Sequence, residues 1–229
     1  MLNFLGIGGA FAPELKNCAA FYKDKNNLVL IDCGENIYEE IVKYNLLKDV
    51  NNLVIIITHF HTDHVGSLGT LLFYCDKLKI LDVSIIYPNI ESLNNLLVLF
   101  GVQKCSYKIF SPSEFKTFNI KEFKQEHSFM EAYGYLIQLK SKNIYYSGDT
   151  KKIPNEIIDM FFQDKIDYFY EDIRKDINDY HISILELNEI IPFNKRGKIY
   201  CMHFYNESEL EYAISKGYNV AKSWKESDK

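Results

Sequence analysis

Apolar residues along this chain fall in short runs, and the runs change spacing from strand-like to helix-like and back. Residues 53–57 (Leu, Val, Ile, Ile, Ile) are an unbroken apolar run with β-branched residues in a row. Such a run reads as a strand buried on both faces. Residues 2–7 form a shorter apolar strand that ends in the turn Gly6-Ile7-Gly8-Gly9. Pro13 and Asn17-Cys18 follow without a helical pattern, so this turn is not a dinucleotide fingerprint. Residues 18–22 and 28–31 read as paired strands around a turn at 24–27. Residues 35–47 carry Ile37, Ile41, Val42 and Leu46 at helical spacing. Asp32 lies between that strand and that helix and reads as an acid that caps or braces a loop.

The alternation continues. Helical spacing covers 65–74 (Leu68, Leu71, Leu72, Phe73) and 89–100 (Leu93, Leu96, Leu97), with a helix expected again over 183–191. Strands are expected over 80–87, 106–110, 117–125, 143–146 and 198–202. Strands alternating with helices, with several hairpins, predict an α/β sandwich of sheets covered by helices on both sides. No repeat, low-complexity run or linker interrupts the chain, so a single domain over 1–229 is expected, with a frayed tail at 225–229.

Composition adds limits. A chain of 229 residues, 47% hydrophobic, can bury a substantial core. No apolar run approaches the length of a membrane span. Residues 1–6 lack a basic lead and a small-residue cleavage site, so no signal peptide is expected. The five cysteines are scattered, odd in number and without a Cys-x-x-Cys pair, which predicts reduced thiols, mostly buried, in a cytoplasmic protein. A net charge of −5 makes a general nucleic-acid binder improbable, although a local basic patch remains open. The 17 tyrosines and 16 phenylalanines read as core aromatics, with a smaller share left for stacking on bases.

The chemistry is concentrated directly after the run at 53–57, in His59-Phe60-His61-Thr62-Asp63-His64. His59 and His61 alternate and can point two imidazoles at one centre; Asp63 and His64 can face a second. Three histidines and an aspartate within six residues have no cheap structural use. A mixed nitrogen and oxygen set fits zinc, manganese or iron. The helix expected from Val65 would bring its N-terminal N–H groups close to this loop, a favourable setting for an anionic substrate.

This His-x-His-x-Asp-His signature resembles that of the metallo-β-lactamase superfamily. The resemblance implies an αββα sandwich of two mixed β-sheets flanked by helices, and a centre of two divalent metal ions, zinc first, with manganese or iron as alternatives. It also implies a third histidine, an aspartate and a last histidine at separate strand ends. His127, Asp149 in Ser147-Gly148-Asp149-Thr150, and His203 match those positions. On this pattern His59, His61 and His127 hold one metal, Asp63, His64 and His203 hold the other, and Asp149 bridges; a hydroxide shared by the metals is oriented by Asp63. Five of the six histidines are then accounted for. The glycine-rich turn at 6–9 would border the mouth of the site.

The sixth, His181, resembles in position a histidine of ribonuclease Z that assists the chemistry. Where that family has His-Glu-Ala-Thr, this chain has Tyr170-Glu171-Asp172-Ile173, keeping the acid as Glu171. Tyr145 stands where ribonuclease Z has a glutamate, four positions before the bridging aspartate. Only 21 residues (128–148) separate His127 from Asp149, which leaves no room for a tRNA-binding arm. Ser-Gly-Asp-Thr resembles the phosphodiesterase-like branches. The expected activity is a dinuclear phosphodiesterase acting on a cyclic nucleotide, a small nucleotide diester or RNA, with Asp63 and His181 catalytic. The alternatives are a thioester or lactone hydrolase on the same fold, and a non-catalytic metal- or ligand-binding protein. No membrane partner is expected, and a homodimer is implied by resemblance alone. Lys151 and Lys152 read as solvated lysines at a helix start before Pro154, with phosphate attraction as the alternative.

Overall fold

A computed structural model describes residues 1–79 and 82–225. Positions 80 and 81 of the strand expected over 80–87, and 226–229 of the tail, lie outside the described residues. The first sheet contains β1 (Asn3–Gly6), β2 (Ala19–Asp24), β3 (Asn27–Ile31), β4 (Asn52–Ile56), β5 (Asp82–Ile86) and β6 (Lys108–Phe110), in that spatial order. The second contains β7 (Ile120–Gln125), β8 (Ala132–Leu139), β9 (Lys142–Tyr146), β10 (Tyr168–Asp172), β11 (Ile199–Met202) and β12 (Asn219–Val220), again in sequence order across the sheet. In both sheets the first two pairings are antiparallel and the next three parallel. The helices are α1 (Ile37–Lys43), α2 (Thr62–Val65), α3 (Leu68–Leu78), α4 (Ile90–Leu99), α5 (Asn155–Phe162), α6 (Ile184–Ile190), α7 (Phe193–Arg196) and α8 (Glu207–Ser215). The αββα sandwich of mixed sheets expected from the sequence is the observed architecture.

The sheets meet through aromatic side chains. Phe4, Tyr135, Tyr146 and Tyr170 are fully buried, and Phe4 packs against Tyr170 and Tyr146. A buried phenol needs a hydrogen-bond partner. Tyr170 accepts from the Leu2 N–H (3.0 Å), and Tyr135 donates to the Ile57 carbonyl (2.7 Å). The many tyrosines are thus mainly a polar-capped core. Cys18, Cys33, Cys75 and Cys201 are buried free thiols, in keeping with the expectation of reduced cysteines.

Two helices differ from the sequence pattern. The one expected over 35–47 stops at Lys43, because the chain turns at Asn45 (φ 51°) and Asp49 (φ 61°) in the left-handed region. The one expected from Val65 is split. Its first turn, α2, already contains Asp63 and His64; the chain breaks at Ser67 (φ −106°), whose hydroxyl donates to the Gly34 carbonyl (2.5 Å), and α3 follows. The histidine loop is therefore partly helical, and the N-terminus next to the site is that of α2.

Candidate metal centre

The side chains that carry chemistry sit at the carboxyl ends of strands from both sheets, where backbone pairing stops and side chains can converge. β3 leads into Asp32, β4 into His59–His64, β7 into His127 and β9 into Asp149; β10 ends at Asp172 and β11 leads into His203. Asp32 (φ 63°) and His203 (φ 65°) both adopt the left-handed conformation without being glycine. Such strain persists only where surrounding contacts hold it, and it gathers at functional sites.

Two clusters form. His59 Nε2, His61 Nδ1 and His127 Nε2 converge, with 2.9 Å between the first two and 3.3 Å between His61 and His127. Asp63, His64 and His203 form the other, with Asp63 Oδ2 3.4 Å from His64 Nε2 and 3.2 Å from His203 Nε2. Asp149 lies between them. Its Oδ1 is 3.3 Å from His64 Nε2 and 3.5 Å from His203 Nε2, and its Oδ2 is 3.9 Å from His59 Nε2 and 3.8 Å from His127 Nε2. Each cluster could hold a metal ion. All seven residues singled out in the sequence are brought together.

The outward nitrogen of each imidazole has its own partner, which fixes the ring and directs the other nitrogen inward. His64 Nδ1 donates to Asp32 (2.9 Å). Asp32 also accepts from the Thr58 N–H and hydroxyl, both at 2.8 Å, so His59 Nδ1 donates to Thr58 Oγ1 (3.1 Å). His127 Nδ1 donates to the Tyr180 carbonyl (3.2 Å), and His203 Nδ1 to Asp172 Oδ1 (3.2 Å). His64 Nε2, fully buried, makes no well-formed hydrogen bond among the described residues, with the Asp63 and Asp149 oxygens 3.4 and 3.3 Å away. An orphaned, inward nitrogen between two carboxylates is what a metal ligand presents, so the donor set fits a divalent ion.

The electrostatics differ between the clusters. Burial, followed by the neighbouring imidazoles, lowers the pKa of His59 and His61, and burial lowers that of His127; neutral rings with free lone pairs result. In the other cluster burial again opposes charge, but the carboxylates outweigh it. Asp149, Asp63 and Asp32 hold His64 well above its ordinary pKa, and Asp149, Asp172 and Asp63 raise His203 to about 9. Conversely, despite burial, His64 and His203 hold Asp63 and Asp149 below the usual carboxylate range. Divalent cations would take over the role of these protons and release them.

Sequence reasoning missed two residues. Asp172, fully buried, accepts from His181 Nδ1 (2.6 Å), His203 Nδ1 (3.2 Å), the Thr150 N–H (3.1 Å) and Arg174 Nη1 (3.2 Å). The acid kept at 171 is not the one at the site: neighbours on a strand face opposite ways, and both Glu171 carboxylate oxygens are buried without a hydrogen-bond partner among the described residues. Burial, followed by the Asp172 charge, pushes the Glu171 pKa well up. The second missed residue, Arg174, donates to Asp172 and to the carbonyls of Ile173 (2.8 Å) and His203. Lysine is more abundant here, and two arginines among 26 basic residues were the available signal.

The clusters open into a cavity of about 570 Å³ whose lining includes Asp63, His181 and Arg174 together with Phe11, Phe60, Tyr180 and Tyr205. Gly9 lies close to two of these side chains; a Cβ there would stand 3.1 Å from His203 Cε1 and 3.3 Å from Arg174 Nη2. Lys151 is neither solvated alone nor turned to this cavity. It pairs with Glu186 (2.6 Å), and α5 begins only after Pro154. Tyr145 is away from the clusters, accepting from Gln125 Nε2 (3.0 Å). No described helix is long and apolar enough to cross a membrane.

Comparison with known proteins agrees with this fold. The short form of human tRNase Z shares the fold (TM-score 0.71, 18% identity, 98% of this chain and 97% of that one). So does the metallo-β-lactamase fold protein YhfI from Bacillus subtilis (TM-score 0.73, 19% identity, 97% and 96%). At such identity the likeness is one of fold. The Anti-Pycsar protein Apyc1 of Bacillus phage BSP38 is 25% identical over 239 residues, 91% of this chain and 90% of that protein. Its namesake in Paenibacillus sp. (strain J14) is 40% identical over 73 residues, 31% of this chain and 29% of that protein. The family described as Anti-Pycsar protein Apyc1 matches residues 1–90 and 86–225. This metallo-β-lactamase-fold chain therefore belongs to the Anti-Pycsar protein Apyc1 family.

Proposed function

We propose that the protein is a dinuclear metal-dependent phosphodiesterase. His59, His61 and His127 hold one ion, Asp63, His64 and His203 the other, and Asp149 bridges. The observation that supports this best is the placement of Asp149, whose two oxygens face different clusters. A single-metal or purely structural site has no use for that arrangement. Two bound divalent ions, zinc first, would supply an activated water at neutral pH and offset charge on phosphoryl oxygens.

The chain's own groups do the rest. Asp63 Oδ2, held between His64 and His203, orients the attacking water. His181 has its Nδ1 proton fixed by Asp172, so its Nε2 points a polar atom at the cavity. There it delivers a proton to the leaving alkoxide or a hydrogen bond to a phosphoryl oxygen. The walls of Phe11, Phe60, Tyr180 and Tyr205 suit a nucleobase or sugar. A cavity of about 570 Å³ is of the size that takes one small ligand. A cyclic nucleotide or small nucleotide diester is therefore favoured over RNA.

Hydrolysis of bis(p-nitrophenyl) phosphate by zinc-loaded protein tests the reading, with 2′,3′- and 3′,5′-cyclic nucleotides alongside. Asp63→Ala and His181→Ala should each lower kcat by about 10²-fold or more. A fully metallated wild type that cleaves p-nitrophenyl thioesters or lactones but no phosphodiester would replace this reading with the carbonyl-hydrolase one.

A further inference from the structure

Arg174 and Arg196 are the two arginines of the chain. Arginine differs from lysine in offering a planar fork of five N–H donors. Arg196 uses that fork for bracing, donating to the carbonyls of Ile191 (3.1 Å) and Lys216 (3.1 Å). Arg174 is placed differently. It is 2% exposed, its guanidinium lies over the Tyr205 ring (4.0 Å to the centroid), and it lines the cavity beside His181.

Its donors are only half used. Nη1 serves Asp172 and two carbonyls, and Nε has no hydrogen-bond partner among the described residues. Nη2 lies 3.0 Å from His203 Nδ1 and 3.4 Å from His181 Nε2. The first is no acceptor while His203 Nδ1 donates its proton to Asp172. The second is at the limit of hydrogen-bond length. Asp172 is the one carboxylate paired with the guanidinium among the described residues, and it already serves two histidines. A buried cation with unspent donors facing a cavity calls for an anion.

We infer that Arg174 Nη2 binds a non-bridging phosphoryl oxygen of the substrate beside His181, which makes Arg174 a catalytic residue selecting an anionic phosphorus centre over a neutral carbonyl. The inference rests on the phosphodiesterase reading for its substrate but not for its test. Inorganic phosphate is titrated into zinc-loaded wild type and Arg174→Gln of equal measured zinc content. The variant should bind phosphate roughly 10- to 100-fold more weakly. In wild type, arginine ¹⁵N NMR should show the Arg174 side-chain signals moving on phosphate addition while those of Arg196 stay. This second readout decides the matter even if Arg174→Gln fails to fold or to hold zinc.

A residue that only braces His203 would alter zinc content without either effect. No phosphate binding by wild type, equal affinity in the variant, or an unmoved Arg174 signal overturns the inference. A wild type that binds phosphate through Arg174 yet cleaves no phosphodiester would sink the activity and leave the anion site standing.

Discussion

The two sheets share one topology and divide the chemistry unequally. Each runs through two antiparallel pairings into three parallel ones. The third strand of each leads to a buried aspartate, Asp32 after β3 and Asp149 after β9. There the likeness ends. Asp32 stands behind His64 and holds it, whereas Asp149 lies between the clusters with an oxygen toward each. The first sheet also gathers four candidate ligands into one loop, while the second spreads its own over the ends of β7, β9 and β11. An acid at an equivalent place in a repeated topology can thus stand behind a candidate ligand or be one, and what it faces decides which.

The largest effect expected from this contrast is at Asp149. Asp149→Asn should lower the proposed phosphodiesterase activity by about 10³-fold or more and weaken both proposed metal sites, since one change removes a partner from each. Loss of one ion with the other fully retained would show that Asp149 serves a single cluster. Chelation is the next largest. Each ion that binds only the folded chain, present at about a thousandfold over its Kd, adds about 4 kcal/mol. Removal of even one should lower Tm by roughly 8–16 °C at about 2–4 °C per kcal/mol. An unchanged Tm after verified metal removal would contradict the idea that the centre ties the strand ends of the two sheets together.

Asp172→Asn and Asp32→Asn sharpen the comparison further. Loss of a carboxylate behind a metal-binding histidine costs about 10–100-fold in metal affinity or activity. Asp172 holds both His181 and His203 directly, and Asp32 holds His64 directly and His59 only through Thr58, so Asp172→Asn should be the more damaging in kcat. Steady-state kinetics at saturating zinc would show the order, and a reversed order would undo the assignment of Asp172 to His181.

The smallest effect on activity concerns Glu171, next to Asp172 but facing the other way. Its folded pKa is raised by burial, so the native state holds this proton more tightly than the unfolded chain does. Stability from this group is intact below the unfolded pKa and falls as pH rises from there toward the raised folded value, by about 1.4 kcal/mol per pH unit. Glu171→Gln cannot ionise. Its Tm relative to wild type should rise between pH 5 and pH 8. A constant difference across that range would mean that Glu171 titrates normally.

The same contrast explains what could be read in the sequence. The loop at 59–64 is a local cluster after an unmistakable strand, so its chemistry needs no fold to be seen. His127, Asp149 and His203 are single residues at separate strand ends, and only the resemblance to a known ligand pattern collects them. Asp172 and Arg174 escaped both routes. Glu171 and Asp172 are adjacent acids on a buried strand, and sequence alone does not say which face is the site. The split between α2 and α3 was hidden because Val65, Leu68, Leu71 and Leu72 keep helical spacing across the break at Ser67. The shared topology of the two sheets leaves no repeat in the sequence, because strand pairing constrains polarity and length more than residue identity.

The most direct test of the central claim is metal stoichiometry. Metal-free protein titrated with zinc, with bound zinc counted by mass spectrometry, should take up two ions per chain in wild type, with proton release on binding. One ion per chain, or none, would contradict a centre bridged by Asp149.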